Sequence, residues 1–189
     1  MSERIARRPI LGGLALGLLW PAGLVARAED DPLLELVEHS DCCIVGRSVA
    51  AASSYRVLGG MRRIVTLHRL RVDEALDGPV RAGDELTLRT LGGRVGDLAQ
   101  RVFGEAEIVI GRPALLFLFR ANDAEHVVTD LAGGYFDLER DAHGVARVRI
   151  ASGERAQSTP LPGAAAQLAG ASMAQVRQML TAMRGQRAR

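Results

Sequence analysis

Two adjacent cysteines, Cys42 and Cys43, are the most nucleophilic side chains in this sequence. They begin a run of apolar and small residues, and neighbouring residues on a strand point to opposite faces. We expect one thiol inside the fold and the other on its outer face beneath a helix, both free. An intermolecular disulfide in an oxidising compartment is the alternative for this thiol site. Metal binding is not favoured, because no second cysteine pair stands at ligand spacing.

The four histidines, His39, His68, His126 and His143, do not form a metal-binding motif. No two of them have the spacing with which one helix or strand presents two ligands, and an HExxH sequence is absent. His68 falls on the apolar parity of its predicted strand, so we expect a core histidine with satisfied hydrogen bonds. The sequence therefore predicts no metal and no cofactor.

A Ser/His/Asp set can be assembled only from the consecutive residues His39, Ser40 and Asp41. The G-x-S-x-G elbow, which exposes a nucleophilic serine at a sharp turn, is absent. We therefore predict that the chain is not an enzyme. The alternative is an undetected hydrolase, which would need a pocket containing a perturbed histidine or carboxylate.

Five arginines on two predicted strands define a candidate binding face for an oligosaccharide or a nucleic acid. They are Arg62, Arg63, Arg69, Arg71 and Arg89. Stacking of bases needs aromatic side chains, and aromatic residues make up only 4% of the chain. Asp73 and Glu85 would also neutralise part of this face, so we favour a solvated surface with cross-strand ion pairs. Nucleic acid is not the partner that we expect.

The strands that carry these side chains are predicted by alternation of apolar and polar residues. Residues 64–72 and 84–91 both show a period of two with β-branched residues, which is typical of strands with one buried face. Asp77-Gly78-Pro79 between them is a turn signal. Because no helix-length segment separates the two strands, we predict an antiparallel pair.

The remaining strands of the domain are predicted from shorter patterns. Residues 114–119 are apolar on both parities, which predicts a central strand with Leu116 and Leu118 buried. Gly46 within the first strand suggests a bulge or a close backbone approach. Further strands are predicted at residues 42–53, 105–110, 126–129, 135–139 and 145–150, with loops at 54–63 and 94–104.

The first 28 residues have the composition of a secretory signal peptide, with a positive start, a short apolar run and an A-x-A cleavage site. The arginine pair resembles a twin-arginine export signal. The apolar run is too short for a good membrane span. The export signal consists of Arg7, Arg8, Ala26 and Ala28. We therefore expect an exported protein, periplasmic or extracellular, with no membrane span after removal of the leader.

Most of the basic character of the chain comes from this leader. It holds four of the 24 basic residues and one of the 22 acidic residues, so the remaining chain has a net charge of −1. A near-neutral mature protein gives no compositional support for binding nucleic acid or an anionic membrane by net charge.

The C-terminal part of the chain has a different composition. Residues 151–171 are rich in Ala, Pro, Gly and Ser and are predicted to be a linker. Residues 172–189 are predicted to form an amphipathic helix, ending at Gly185, and a basic tail; Ser172 and Gln175 form its capping box. Its apolar stripe consists of Met173, Val176, Met179, Leu180 and Met183. We favour docking on the domain; a helix that binds a partner through adaptable methionines is the alternative.

Short strands separated by turn signals favour a small barrel or sandwich. The segments CIVGRSVAA, TLHRLRVDEALDGPVRAGDELTLRTLGG, GRPALLFL and GGYFDL resemble uncharacterised exported bacterial proteins with an oligonucleotide/oligosaccharide-binding (OB) barrel. Their fold is distantly similar to the N-terminal domain of tissue inhibitors of metalloproteinases. The resemblance covers residues 33–149.

This resemblance implies a mainly β fold in residues 29–150: a small OB-like barrel, closed or partly open, with a short N-terminal helix and a C-terminal helix. It implies no catalytic residue. The N-terminal cysteine with which those inhibitors bind zinc has no counterpart, because the expected mature N-terminus is Glu29. We therefore expect an exported, non-enzymatic binding or interaction module whose partner is a protein.

Overall fold

The structure, a computed structural model, describes residues 31–150 and 162–187. These residues form a mainly β fold with short helices at both ends. The described helices are α1 (Pro32–Glu38), α2 (Pro162–Leu168) and α3 (Met173–Arg187). The described strands are β1 (Cys42–Leu58), β2 (Met61–Asp77), β3 (Glu85–Leu91), β4 (Gly93–Val95), β5 (Leu98–Gln100), β6 (Pro113–Arg120), β7 (His126–Val128), β8 (Tyr135–Arg140) and β9 (Ala146–Arg149).

Seven strands form one mixed sheet in the order β1-β2-β3-β7-β6-β8-β9. Because β1 also pairs with β6, hydrogen bonds run in a ring through five strands. The pairing of β3 with β7 is parallel, whereas the other neighbours in the sheet are antiparallel. The predicted antiparallel pairing is confirmed, with Val65 opposite Leu91 and Arg71 opposite Glu85.

Strand β1 bends so that its first half can pair with both β2 and β6. Its register against β2 shifts between Val45 and Gly46 and again between Ser48 and Ala50. A Cβ atom at Gly46 would lie 2.7 Å from the carbonyl oxygen of Arg71. The glycine is therefore needed for a close backbone approach at a bulge, as its position in the sequence suggested.

Two apolar clusters lie on the two sides of the sheet. One fills the interior of the ring and includes Ile44, Leu70, Leu88, Leu116 and Leu118. The other lies between the outer surface of the sheet and the helices and includes Leu36, Phe117, Phe136, Leu168 and Val176. Strand β6 is apolar on both parities because its side chains contribute alternately to the two clusters. The predicted burial of Leu116 and Leu118 is confirmed.

The two cysteines follow the same division between the faces of the sheet. Cys42 lies in the ring interior and Cys43 in the outer cluster beneath the helices, and both are free and buried. Burial, with Asp41 nearby, raises the pKa of Cys42 to about 11. Burial also raises the pKa of Cys43 well above its usual value. Both groups are therefore protonated thiols, poor nucleophiles with little access to another chain.

Helix α3 docks on the chain's own sheet. Four residues of its apolar stripe (Met173, Val176, Leu180 and Met183) are buried in the outer cluster, and Met179 packs against it. The predicted capping box is present, since the amide of Ser172 donates to Gln175 Oε1 at 2.8 Å. The helix continues through Gly185 to Arg187, so the prediction that Gly185 ends it is wrong.

Helix α2 lies within the range that the sequence analysis predicts to be a linker. Its residues Ala164, Ala165 and Leu168 are buried. A Cβ atom at Gly163 would lie 2.2 Å from Pro32 Cγ, so small residues here allow close approach to α1. Residues 151–161 of the predicted linker, and the predicted leader with its export signal, lie outside the described residues.

Three local predictions are wrong. Residues 54–63 are not a loop, because β1 and β2 continue to a tight turn at Gly59-Gly60. Residues 94–104 contain the two-stranded ribbon of β4 and β5. Residues 105–110 form no strand beyond one bridge from Ile110 to Ser48. Their apolar alternation instead arises because Ala106 and Ile108 pack against the ring interior.

Candidate functional site

A cavity of about 410 Å³ opens at the end of the ring where β3 leads into β4. Strand β2 contributes Thr66 and His68 to its lining, and β3 contributes Thr90. Residues 91–93 and 100–108 complete the walls. The volume lies within the range of small-molecule sites, about 300–1,000 Å³. We call this cavity the cleft.

His68 joins the cleft to a buried hydrogen-bond network. Its Nδ1 lies 3.3 Å from Ser48 Oγ, and its Nε2 lies 3.2 Å from Thr90 Oγ1. Ser48 Oγ also donates to the carbonyl of Ala50 at 3.1 Å. These contacts assign the proton of the imidazole to Nδ1, which donates to Ser48, while Nε2 accepts from Thr90.

This arrangement does not suit serine hydrolysis. A nucleophilic serine must give its proton to the histidine, whereas Ser48 directs its proton to Ala50 and accepts from the imidazole. Burial lowers the pKa of His68 to about 4, so the ring is neutral at neutral pH. The expectation of a satisfied core histidine agrees with these contacts.

A second set of hydrogen bonds holds the rim of the cleft. Thr66 Oγ1 donates to the carbonyl of Gly92 at 2.8 Å and lies 2.8 Å from Ser53 Oγ. Gly93 has a φ of 125°, and a Cβ atom there would lie 2.3 Å from Thr66 Oγ1. Only glycine fits this position, since both the backbone conformation and the space exclude a side chain.

The mouth of the cleft combines a carboxyl group, an amide and an aromatic ring. Burial raises the pKa of Glu105, against the opposing effects of a hydrogen bond from the Leu91 backbone and of Arg89. Gln100 Oε1 accepts from the amide of Ile64 at 3.0 Å. Phe103 is 79% exposed, an unusual state for one of four phenylalanines in the chain.

The wall formed by residues 100–108 is fixed by an adjacent turn. The amide of Ala132 donates to the carbonyl of Gly104 at 2.8 Å. Asp130 and Leu131, which precede it, have φ values of 52° and 60°. Left-handed conformations cost energy for residues other than glycine, so surrounding contacts must hold this turn in place.

Four of the five arginines of the predicted binding face lie on one face of the sheet, and Arg89 is among them because it lies opposite Leu67. Arg63, Arg69 and Arg71 share one parity of β2, and Arg62 lies on the other. The guanidinium of Arg62 stacks 3.9 Å from the ring centroid of Tyr55. Arg62 therefore lies apart from the other four arginines of the predicted face.

The arginines nearer the middle of the sheet have acidic partners. Arg69 lies 3.9 Å from Glu85 across the strands. Arg89 Nε lies 3.4 Å from Glu125, which also pairs with Arg56. Hydrogen bonds from Arg56 and Asn122 lower the pKa of Glu125, although its burial acts in the opposite direction. The Arg69–Glu85 pair agrees with a solvated, cross-strand-paired face, whereas the side chains of Arg89 and Glu125 are largely buried.

The consecutive residues His39, Ser40 and Asp41 have separate structural roles. Ser40 Oγ donates to the carbonyl of Leu36 at 2.7 Å, and Asp41 Oδ2 accepts from the amide of Arg120 at 2.6 Å. They therefore do not form a catalytic set. No group of three or more His, Cys, Asp or Glu side chains in the described residues is arranged to hold a metal ion.

A smaller cavity of about 220 Å³ lies between Asp41, Cys42, Arg120 and His126. Burial and the charge of Arg120 lower the pKa of His126. His126 Nδ1 is buried without a hydrogen-bond partner among the described residues. Asp41, Cys42 and His126 line this cavity, but no three such side chains in the described residues are arranged to hold a metal ion. The cleft is therefore the better candidate site.

Three residues of the cleft, Gln100, Phe103 and Glu105, are not among the predicted site residues. The signal that could have found them is the unusual apolar content of residues 94–104, which indicated a packed loop, next to the Gly92-Gly93 pair. Loops that pack on a rigid sheet often carry binding residues.

The stability of the protein is expected to fall as the pH drops from 6.5 to 4. The folded pKa of His68 is about 4 and its ordinary value is 6.5, so the unfolded chain takes up a proton first. This stabilisation is complete above pH 6.5, and its loss amounts to about 3 kcal/mol. Chemical denaturation across this range measures the slope, and a His68→Gln variant, which cannot titrate, serves as the control. If the free energy of unfolding depends on pH equally in both proteins, the lowered pKa of His68 is contradicted.

In the part of the chain that the structure describes, no helix has both the length and the apolar character needed to cross a membrane. Comparisons with protein-family models, with curated proteins and with solved structures give no match for this chain. Its function therefore has to be inferred from the fold and the cleft.

Proposed function

We propose that this chain is an exported, non-enzymatic binding protein with an OB-like barrel, and that the cleft is its recognition site. The observation that carries the proposal is a cavity of about 410 Å³ in which polar groups of His68, Thr90, Gln100 and Glu105 meet beside an exposed aromatic ring. A concave site with a few converging polar groups is the usual form of a binding site. The ring of five strands and the resemblance of residues 33–149 support the OB-like assignment.

Binding is favoured over catalysis by the state of the polar groups. Both nitrogens of His68 already have partners, and the proton of Ser48 points away from it. Glu105 has a raised pKa, as a general acid would, and His68 with its lowered pKa lines the same cleft, so the hydrolase alternative has the perturbed groups that it needs. Against catalysis, both nitrogens of His68 are engaged by Ser48 and Thr90. General acid–base chemistry usually needs two groups with opposed protonation states.

We expect the occupant to be a polar segment of a secreted partner protein. The cleft has room for one or two side chains, and its amide and carboxyl groups can exchange hydrogen bonds with them. Phe103 can cover the apolar part of such a side chain, because its ring is largely exposed at the mouth. The arginines of the sheet are less suitable as a binding face, because most of them already contact neighbouring side chains.

A pull-down from the extracellular fraction tests this function with the chain that begins at Glu29. A double variant, Phe103→Ser with Glu105→Gln, removes the ring and the charge at the mouth without enlarging the core. Leu98→Ser is the matched control, because Leu98 is 63% exposed on β5 and does not line the cleft. We expect the native protein and the control to retain the same partner protein and the double variant to retain at least about tenfold less.

Three results would contradict the proposed function in whole or in part. Equal retention by the double variant would show that the cleft is not the recognition site. Recovery of a partner or small molecule cleaved only in the presence of the native protein would show that the chain is a hydrolase. If the native protein retains an unmodified small molecule and the double variant does not, the cleft is a binding site but its partner is not a protein.

A further inference from the structure

The hairpin of β1 and β2 extends beyond the sheet as a two-stranded arm. The last pair between β2 and β3 joins Val65 to Leu91, and the last three pairs of the hairpin lie further out. We define the arm as residues 56–63. At about 3.3 Å per residue, it extends about 10 Å past the end of β3. Gly59 and Gly60, both with positive φ, close its tip.

Apolar side chains are exposed on both faces of this arm. Val57 is 71% exposed and Met61 is 56% exposed. Val57 lies opposite Arg62, whereas Met61 lies opposite Leu58, so the two exposed side chains project from different faces. The tip of the arm therefore presents one exposed apolar side chain on each face, next to a tight glycine turn.

The arm also carries a local excess of positive charge. It contains Arg56, Arg62 and Arg63, and the sequence has no acidic residue between Arg47 and Asp73. Arg56 is neutralised by Glu125. Among the described residues, Arg62 stacks on an aromatic ring and Arg63 contacts the Met61 sulfur, and neither forms an ion pair. The arm therefore has a charge of about +2 on a chain that is otherwise near neutral.

We propose that the tip of this arm docks on the surface of an anionic phospholipid bilayer. Val57 and Met61 enter the headgroup region, and Arg62 and Arg63 contact lipid phosphates on the two faces of the hairpin. Apolar tips flanked by arginines satisfy both requirements of an interfacial anchor, which are buried apolar area and attraction to anionic lipid. The arm can reach a flat surface because it extends beyond the rest of the sheet.

The chemistry of the arm favours a bilayer over a nucleic acid. Single-stranded nucleic acids are held by aromatic side chains that stack on bases. The one aromatic ring at the base of the arm, Tyr55, is already covered by Arg62. Exposed Val57 and Met61 would not contribute to contacts with phosphates alone, whereas the headgroup region of a bilayer can bury their apolar atoms.

Co-sedimentation with vesicles tests the proposal. Vesicles of phosphatidylglycerol and phosphatidylcholine in equal parts are compared with vesicles of phosphatidylcholine alone. The chain that begins at Glu29 is compared with the full chain, which separates the contribution of the apolar leader. We expect the shorter chain to bind the anionic vesicles, to ignore the neutral ones and to be released by salt.

Variants at the tip locate the contact. Arg62→Gln with Arg63→Gln should weaken partitioning about fivefold for each arginine removed. Val57→Ser with Met61→Ser should weaken it at least about tenfold. Arg81→Gln with Val145→Ser is the matched control, because Arg81 and Val145 are exposed in turns outside the arm. Thermal melting of each variant checks that the fold is intact.

Three outcomes would overturn the proposal. The first is failure of the chain that begins at Glu29 to sediment with anionic vesicles. The second is an equal loss of binding in the control and in the tip variants. The third is tip-dependent binding to a single-stranded oligonucleotide without binding to vesicles, which would assign the arm to nucleic acid.

Discussion

Deletion of residues 170–189 is expected to abolish cooperative folding of the domain. The deletion removes four buried side chains of α3 (Met173, Val176, Leu180 and Met183) from the outer cluster. Burial of one such side chain contributes about 1.5–3 kcal/mol, so the loss is about 6 kcal/mol or more. A domain of this size is stabilised by only about 5–15 kcal/mol in total. The truncated protein should therefore bind hydrophobic dyes and show no sharp thermal transition.

The deletion also removes contacts that fix the position of the helix. The amide of Val148 in β9 donates to the carbonyl of Ala171 at 2.9 Å, so the edge of the sheet loses a partner. Arg177 makes two contacts of 2.5 and 2.6 Å with Glu74 of β2. These exposed ion pairs contribute little energy, but they set the orientation of the helix on the sheet.

A substitution on the exposed side of α3 provides the control for the deletion. Gln178→Ala should change the free energy of unfolding by less than about 0.5 kcal/mol. Leu180→Ala, a single change in the buried stripe, should cost about 2–5 kcal/mol. A truncated protein that melts at the same temperature as the complete one would show that α3 is a separate element available to a partner.

Substitution of Leu116 by alanine is expected to lower the free energy of unfolding by about 2–5 kcal/mol. Leu116 lies in the ring interior, opposite Ile44 of β1 and Tyr135 of β8, and is 1% exposed. Paired strands on both sides restrict the collapse of the surrounding backbone, so the cavity left by the missing atoms would persist. Urea denaturation, with an unchanged dependence on denaturant, measures the loss.

Two control substitutions test whether the loss of stability is specific to truncation of the buried Leu116 side chain. Leu116→Met conserves volume and should cost less than about 1.5 kcal/mol. Val57→Ala removes apolar atoms from the exposed arm and should stay within about 0.5 kcal/mol. If Leu116→Ala lowers the free energy of unfolding by less than about 1 kcal/mol, β6 does not belong to the core of the ring.

Elements whose signals are local could be predicted from the order of the amino acids. Alternation over residues 64–72 and 84–91 predicted an antiparallel pair, because a short connection leaves few other ways to bury one face of each strand. Ser172 with Gln175 predicted a helix start, and the parity of His68 predicted its burial. The same local reading failed at Gly185, where the helix continues, because docking of α3 on the sheet outweighs one unfavourable residue.

The closure of the ring, the lining of the cleft and the projection of the arm depend on long-range packing and could not be predicted from local patterns. Pairing of β1 with β6 and of β3 with β7 joins residues far apart in sequence, and periodicity does not specify which strand edges meet. Gln100, Phe103 and Glu105 come together because residues 101–108, which form no strand, follow β5 along the wall of the cleft. The pattern of residues 54–63 does not show whether they form a loop or a hairpin that projects from the sheet. Projection depends on where the neighbouring strand β3 ends. Local patterns record which face of a segment is buried, whereas a site between segments depends on the packing of the whole chain.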